Sequence, residues 1–104
     1  MKGIIENLHK AFDNRVRLGI MSALMVNERM DFNSMKDLLD ITDGNLASHL
    51  KALEKEDFIL VNKTFIGRKP NTSYQTTPTG RKAFENHLNA LEKLISSQQM
   101  KADE

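Results

Sequence analysis

Within seven positions lie Asn45, Ser48, His49 and Lys51, four side chains that hydrogen-bond or carry charge. They alternate with Leu46, Leu50 and Leu53, which recur at i, i+4 and i+7, the spacing of one buried stripe on a helix. If the leucines face a core, the polar set faces outward. Amide, hydroxyl, imidazole and ammonium groups on one such face do the chemistry of recognition, not of bond breaking. A catalytic role would need a nucleophile beside a base, a carboxylate pair or a glycine-rich phosphate loop, and the chain carries no such signature, so no enzyme is expected. His9, His49 and His87 fall on three separate segments with no second ligand on a shared helical face, so neither a metal site nor a cofactor is expected. With no cysteine, disulfides, thiolate chemistry and iron–sulfur clusters are excluded.

A second cluster is electrostatic. The formal charge is only +1, yet residues 58–84 hold Lys63, Arg68, Lys69, Arg81 and Lys82 without a single acid. Residues 1–57 carry 8 basic against 10 acidic side chains, and residues 85–104 carry 2 against 4. The middle stretch is thus a local positive field in a slightly acidic chain, suited to a polyanion or merely to solvation.

The elements that must position these groups follow from periodicity. Ile4, Ile5, Leu8 and Phe12 predict a short helix over about 3–12. Asp13 or Asn14 can cap a second helix, apolar at Val16, Ile20, Ala23 and Leu24, that runs to about Val26. A short extended piece over 30–32 precedes a helix capped by Asn33 and carrying Met35, Leu38 and Leu39. After about three residues Thr42 caps the polar-faced helix, which is expected to reach about Asp57. Residues 58–61 and 63–66 are β-branched and aromatic, 67–71 is dense in turn formers, and 72–76 reads as a returning strand. Thr77-Pro78 or Thr79 opens a last helix, 79–97, with Ala83, Phe84, His87, Leu88, Leu91, Leu94 and Ile95 at helical spacing. The tail from Gln98 has no apolar period and should fray.

Two short helices joined by three residues, the second with one apolar stripe, form a helix-turn-helix; the basic hairpin after them makes it a winged helix. The expected class is mainly α with a small β-hairpin, one domain over 1–104. A helix enters the major groove when its outward side chains are small or hydrogen-bonding and its back is clamped to a core. Asn45, Ser48, His49 and Lys51 meet the first condition, and Leu46, Leu50 and Leu53 the second. Asp43 would repel phosphate and reads as a capping-turn residue.

The run Thr42-Asp43-Gly44-Asn45-Leu46-Ala47-Ser48-His49-Leu50-Lys51-Ala52-Leu53-Glu54, followed by Phe58-Ile59, resembles the recognition-helix segment of winged-helix repressors of the MarR/ArsR-like group. Arg17-Leu18-Gly19-Ile20, the wing from Gly67 to Tyr74 and the junction from Thr76 to Phe84 extend the resemblance over about residues 14–95. It implies a dimeric regulator of transcription, with two helices, a strand, two helices, a strand, the wing, a strand and a final helix in order. It also implies double-stranded DNA as partner, the fourth helix in the major groove, Asn45, Ser48, His49, Arg68 and Lys69 as contacts, and repression as the mode. Lys51 and Lys63 join these as further cationic candidates. Where such proteins often have Gly before the first wing strand, this chain has Asp57.

The terminal helices are more apolar than a monomer of this size needs. Phe84, Leu88, Leu91, Leu94 and Ile95, with Ile4, Ile5 and Leu8, are therefore expected to form a homodimer interface, the alternative being that the two helices pair within one chain. A two-fold dimer would present two reading helices roughly 34–36 Å apart to a pseudo-palindromic site. The rival to a DNA-binding reading is a winged-helix protein-interaction module, which an acidic or apolar wing would favour, and this wing is expected to be neither. No apolar run reaches the roughly 18 residues of a membrane span, and an acid at Glu6 interrupts any leader, so a cytoplasmic protein without membrane contact is expected. No residue pattern marks an effector pocket.

Overall fold

Side-chain caps decide where each helix starts. The computed structural model describes residues 2–102, with side chains from 3 to 97. Asn14 accepts from the backbone N–H groups of Val16 and Arg17 at 2.9 and 3.1 Å and opens α2, Arg15–Val26. Asp31 accepts from Ser34 N–H at 2.7 Å and opens α3, Phe32–Leu39, two residues before the expected cap Asn33. Asp31 can do so because it also ends the two-residue strand β1, Met30–Asp31, and so already has the extended backbone a cap requires. Thr42 accepts from Asn45 N–H at 3.2 Å and opens α4, Asp43–Lys55. Each such cap contributes about 1 kcal/mol.

The end of α4 explains how Asp57 replaces a glycine. Phe58 N–H bonds the Leu53 carbonyl at 3.0 Å and Asp57 N–H that of Glu54 at 2.9 Å, the two bonds of a Schellman closure. Asp57 takes the left-handed conformation this needs, with φ 61°. The helix thus stops at Lys55, and Leu53 and Phe58 join the core on either side of the closure.

The first helix is shorter than its periodicity predicts. α1 covers only Lys2–Ile5, and a single 3-10 turn follows at Lys10–Phe12. His9 interrupts them with an extended backbone, its ring Nδ1 accepting from Ala11 N–H at 3.0 Å to cap the 3-10 turn. Phe12 is thereby driven into the core instead of continuing a helical face.

β2, Ile59–Ile66, is one continuous strand, and β3, Lys69–Thr76, pairs antiparallel with it from Ile66↔Lys69 to Ile59↔Thr76. β1 adds on the far side through Met30↔Tyr74 and Asp31↔Ser73, giving the order β1-β3-β2. The turn is only Gly67-Arg68, not 67–71. Gly67 has φ 65° while Arg68 stays at negative φ, the pattern of a tight type II′ hairpin. Pro70 is tolerated in β3 because β1 reaches no further than Ser73, so its missing N–H can face open solvent.

α5, Pro78–Ala102, runs five residues past the expected end near Ser97. Its start is bolted to the root of the hairpin. Thr77 Oγ1 accepts from Gly80 N–H at 2.9 Å and donates to the Asp57 carbonyl at 2.6 Å, while Thr77 N–H bonds the Phe58 carbonyl at 3.1 Å. Backbones meet so closely here that a Cβ on Gly80 would lie 2.0 Å from the Phe58 oxygen.

The core is built from Phe12, Ile20, Met21, Leu24, Met35, Leu46, Leu50, Leu53, Phe58, Ile59 and Phe84, with Met30 and Tyr74 of β1 and β3 partly buried against it. Phe84, expected at a dimer interface, is 2% exposed and packs edge-on to Phe12 at 5.2 Å, so its own chain covers it. His87 is likewise interior, its Nδ1 accepting from His9 N–H at 3.1 Å. α1 packs on α5 of its own chain, yet Ile5, Leu88, Leu91 and Ile95 remain exposed and Leu94 half-buried. Ile4 and Leu8 are also half-buried. Among the described residues no helix is long and apolar enough to cross a membrane.

Candidate nucleic-acid interface

α4 is fastened at its back and at both flanks. Leu46, Leu50 and Leu53 are at most 3% exposed and hold the helix to the core. α3 ends on Asp40 in the left-handed conformation, φ 51°, and the chain turns through Ile41 and Thr42 directly into α4. Lys36 of α3 bridges to Asp43 at 2.8 Å, and this hydrogen bond raises the lysine pKa above 10.5. Asp43 is thus the first residue of α4, and its carboxylate is partly neutralised by a partner on the other helix of the pair.

What remains outward is polar and small. Asn45, Ser48 and Lys51 are exposed, beside exposed Gly44 and Ala47. His49 is not fully outward: it is half-buried on the flank toward α2, where its Nδ1 accepts from Arg17 Nε at 3.1 Å. Its pKa is lowered from 6.5, first by burial and then by the Arg17 charge.

The hairpin stands on the opposite flank of α4. Val61, Lys63, Thr72 and Tyr74 face Ala47, Leu50, Lys51 and Glu54 across a cleft of about 340 Å³. Tyr74 is pushed above 10.0 by burial there and by the nearby Glu54 carboxylate. Lys63, Arg68 and Lys69 are exposed, with Arg68 in the turn and Lys69 beside it. The structure therefore brings Lys51 and Lys63 together at one cleft, with Asn45 and Ser48 exposed on the outward face of α4. It sets Arg68 and Lys69 at the far tip and His49 on the other flank.

Two features of this surface escaped the sequence reading. Phe65 and Ile66, on opposite faces of the wing tip, are 72% and 69% exposed, so the wing is basic and partly apolar. Phe65 pairs across the strands with Pro70, a small apolar ledge beside the cations. The other feature is Arg17, which touches both His49 and, through Nη1 at 3.3 Å, the Ala11 carbonyl. A signal for it existed: Arg15 and Arg17 crowd the first turn of α2 without an acid, against the helix dipole.

No described group of three or more His, Asp or Glu side chains could hold a metal ion.

Comparison with known proteins places this geometry. The family model of the winged helix DNA-binding domain matches residues 16–95. An uncharacterized protein of Methanocaldococcus jannaschii is 39% identical over 79 residues, 76% of this chain and 86% of that protein. The structure of a transcriptional regulator homologue from Pyrococcus horikoshii superposes with a TM-score of 0.84 at 30% identity, covering 94% of this chain and 98% of that one. A transcriptional regulator of the MarR family from Enterococcus faecalis shares the fold with a TM-score of 0.76 at 21% identity, covering 99% and 92%. With a family model spanning three quarters of its length and a matching order of elements, the chain belongs to the winged helix DNA-binding domain family.

Proposed function

We propose that this chain is a homodimeric regulator of transcription that binds duplex DNA with α4 in the major groove and the wing against the neighbouring backbone or minor groove. The observation that carries the reading is the arrangement around α4: three buried leucines behind, exposed Asn45, Ser48 and Lys51 in front, and a cationic hairpin alongside. Asn45 and Ser48 supply directional hydrogen bonds to base edges, while Lys51, Lys63, Arg68 and Lys69 supply phosphate charge. The exposed Phe65–Pro70 ledge suits contact with sugar edges or an opened base step, as apolar wedges do in minor grooves. Repression, by occluding a promoter, is the mode proposed.

Dimerisation is proposed through the second half of α5. Leu88, Leu91 and Ile95 are 44%, 40% and 61% exposed in a single chain, and Ile5 adds to them at 53%. Leu94, Ile4 and Leu8 flank this surface; Phe84 is excluded from it by its place in the core. Leu91→Asp should give monomers in analytical ultracentrifugation with the fold intact, and a persistent dimer would move the interface elsewhere.

Selection of bound duplexes from a random pool tests the whole reading. A two-fold symmetric consensus is expected, with Asn45→Ala relaxing one or two of its base pairs at a cost of about 1–3 kcal/mol. Failure to enrich any sequence would overturn it.

A further inference from the structure

The contact between Arg17 and His49 sets which proton the recognition helix offers. A guanidinium has donors only, so an imidazole nitrogen that receives its N–H must present a lone pair. Arg17 Nε lies 3.1 Å from His49 Nδ1, which leaves the single ring proton on Nε2. Among the described residues no side chain or carbonyl accepts from that Nε2, and no buried side-chain nitrogen is left without a partner, so Nε2–H reaches solvent. The arginine is itself held in place. Its backbone N–H is taken by the Asn14 cap, and its Nη1 donates to the Ala11 carbonyl at 3.3 Å, next to the 3-10 turn.

We propose that Arg17 is a positioning residue that locks His49 as a neutral Nε2–H donor toward a phosphate oxygen at the groove wall. The inference rests on the DNA-binding reading above. A phosphate fits better than a base because His49 sits on the α2 flank of α4, away from the outward face that Ser48 occupies. Protonation would require a second proton at Nδ1, directly against the Arg17 guanidinium. Charge repulsion and burial both oppose it, in keeping with the lowered pKa. No acidic group acts on His49 strongly enough to offset them. Consequently the neutral, Nε2–H form of this contact persists to lower pH than a free imidazole would keep it.

Long-range ¹H–¹⁵N spectra of the free protein read the tautomer, and fluorescence anisotropy on a selected duplex reads affinity against pH. The parent should show the Nε2–H form at neutral pH, and its affinity should change less than that of Arg17→Met between about pH 7.5 and 6, around the usual midpoint near 6.5. Arg17→Met should raise the His49 pKa and make binding tighten as pH falls, because an imidazolium then faces phosphate. His49→Gln, which keeps one donor near the same point, should bind within about threefold of the parent at every pH, whereas His49→Ala should lose about tenfold. A neutral methylphosphonate at one backbone position should cost the parent affinity but leave His49→Ala unchanged; a 7-deazapurine doing so instead would overturn the phosphate assignment. An Nδ1–H tautomer in the parent overturns the proposal, even if Arg17→Met fails to fold. So does an Arg17→Met profile identical to the parent's. If the parent binds no duplex, the DNA reading itself fails, and the role of His49 with it, whichever tautomer the spectra show.

Discussion

The root and the tip of the wing are parts of the same two strands and are built for opposite purposes. At the root, Phe58 and Ile59 are buried, Thr77 ties the strand exit to Asp57 and Phe58, and Gly80 lets α5 start against the Phe58 carbonyl. At the tip, Phe65, Ile66, Gly67, Arg68 and Lys69 are all exposed, with only the strand ladder to hold them. On the proposed reading, the contrast assigns stability to one end of the hairpin and DNA binding to the other. Root substitutions should act on folding, tip substitutions on DNA.

The largest effect should come at the root. Gly80→Ala forces a methyl group into backbone that cannot move without separating α5 from the sheet, and should destabilise by about 3 kcal/mol, read by urea unfolding. A parent-like midpoint would mean that the junction is looser than its hydrogen bonds indicate. At the tip the signs reverse. Arg68→Ala with Lys69→Ala should leave the melting temperature unchanged while reducing the salt slope of DNA binding by about two. If instead the double variant melts early, the tip has a structural role and the contrast breaks.

A smaller effect belongs to the buried His87. The His87 pKa is lowered from 6.5, chiefly by burial; Asp13 opposes the shift and His9 adds to it. The unfolded chain therefore binds the proton more readily than the folded one. The stability contributed by the neutral ring is complete above about pH 6.5 and declines as pH falls below that value toward the folded pKa. His87→Asn, which can still accept from His9 N–H, should flatten that part of the pH dependence of melting. The smallest effect belongs to Asp57. Its left-handed backbone suits glycine better, so Asp57→Gly should raise stability by about 1 kcal/mol or less, read from the urea midpoint, with DNA binding unchanged.

The order of elements was legible because it rests on local signals. Leucine spacing at 46, 50 and 53, the Thr42 cap and the run of β-branched residues after Phe58 each report on their own neighbourhood. Errors arose where tertiary contacts outrank local pattern. Phe84 lies on the same helical face as Leu88 and Leu91, and the packing of Phe12 against it within the core decides that it is interior while they are not. The first helix stops because the His9 ring caps a new turn and its N–H meets His87, 78 residues away. The hairpin turn is tighter than its Gly, Pro and Asn content suggests, since β3 has no neighbour beyond Ser73 and so accommodates Pro70. His49 illustrates the limit most clearly: its type and position suggested a free contact residue, and its partner on α2 turns it into a held one.

The central claim is that the outward face of α4 lies against duplex DNA. Ser48 is exposed at the middle of that face and contributes nothing to the core, so Ser48→Glu places a carboxylate there without disturbing Leu46, Leu50 or Leu53. Anisotropy titration of the selected duplex should then show at least about a tenfold loss of affinity at constant fold, since a buried like charge against phosphate costs more than 1.4 kcal/mol. Affinity equal to the parent's would contradict the account.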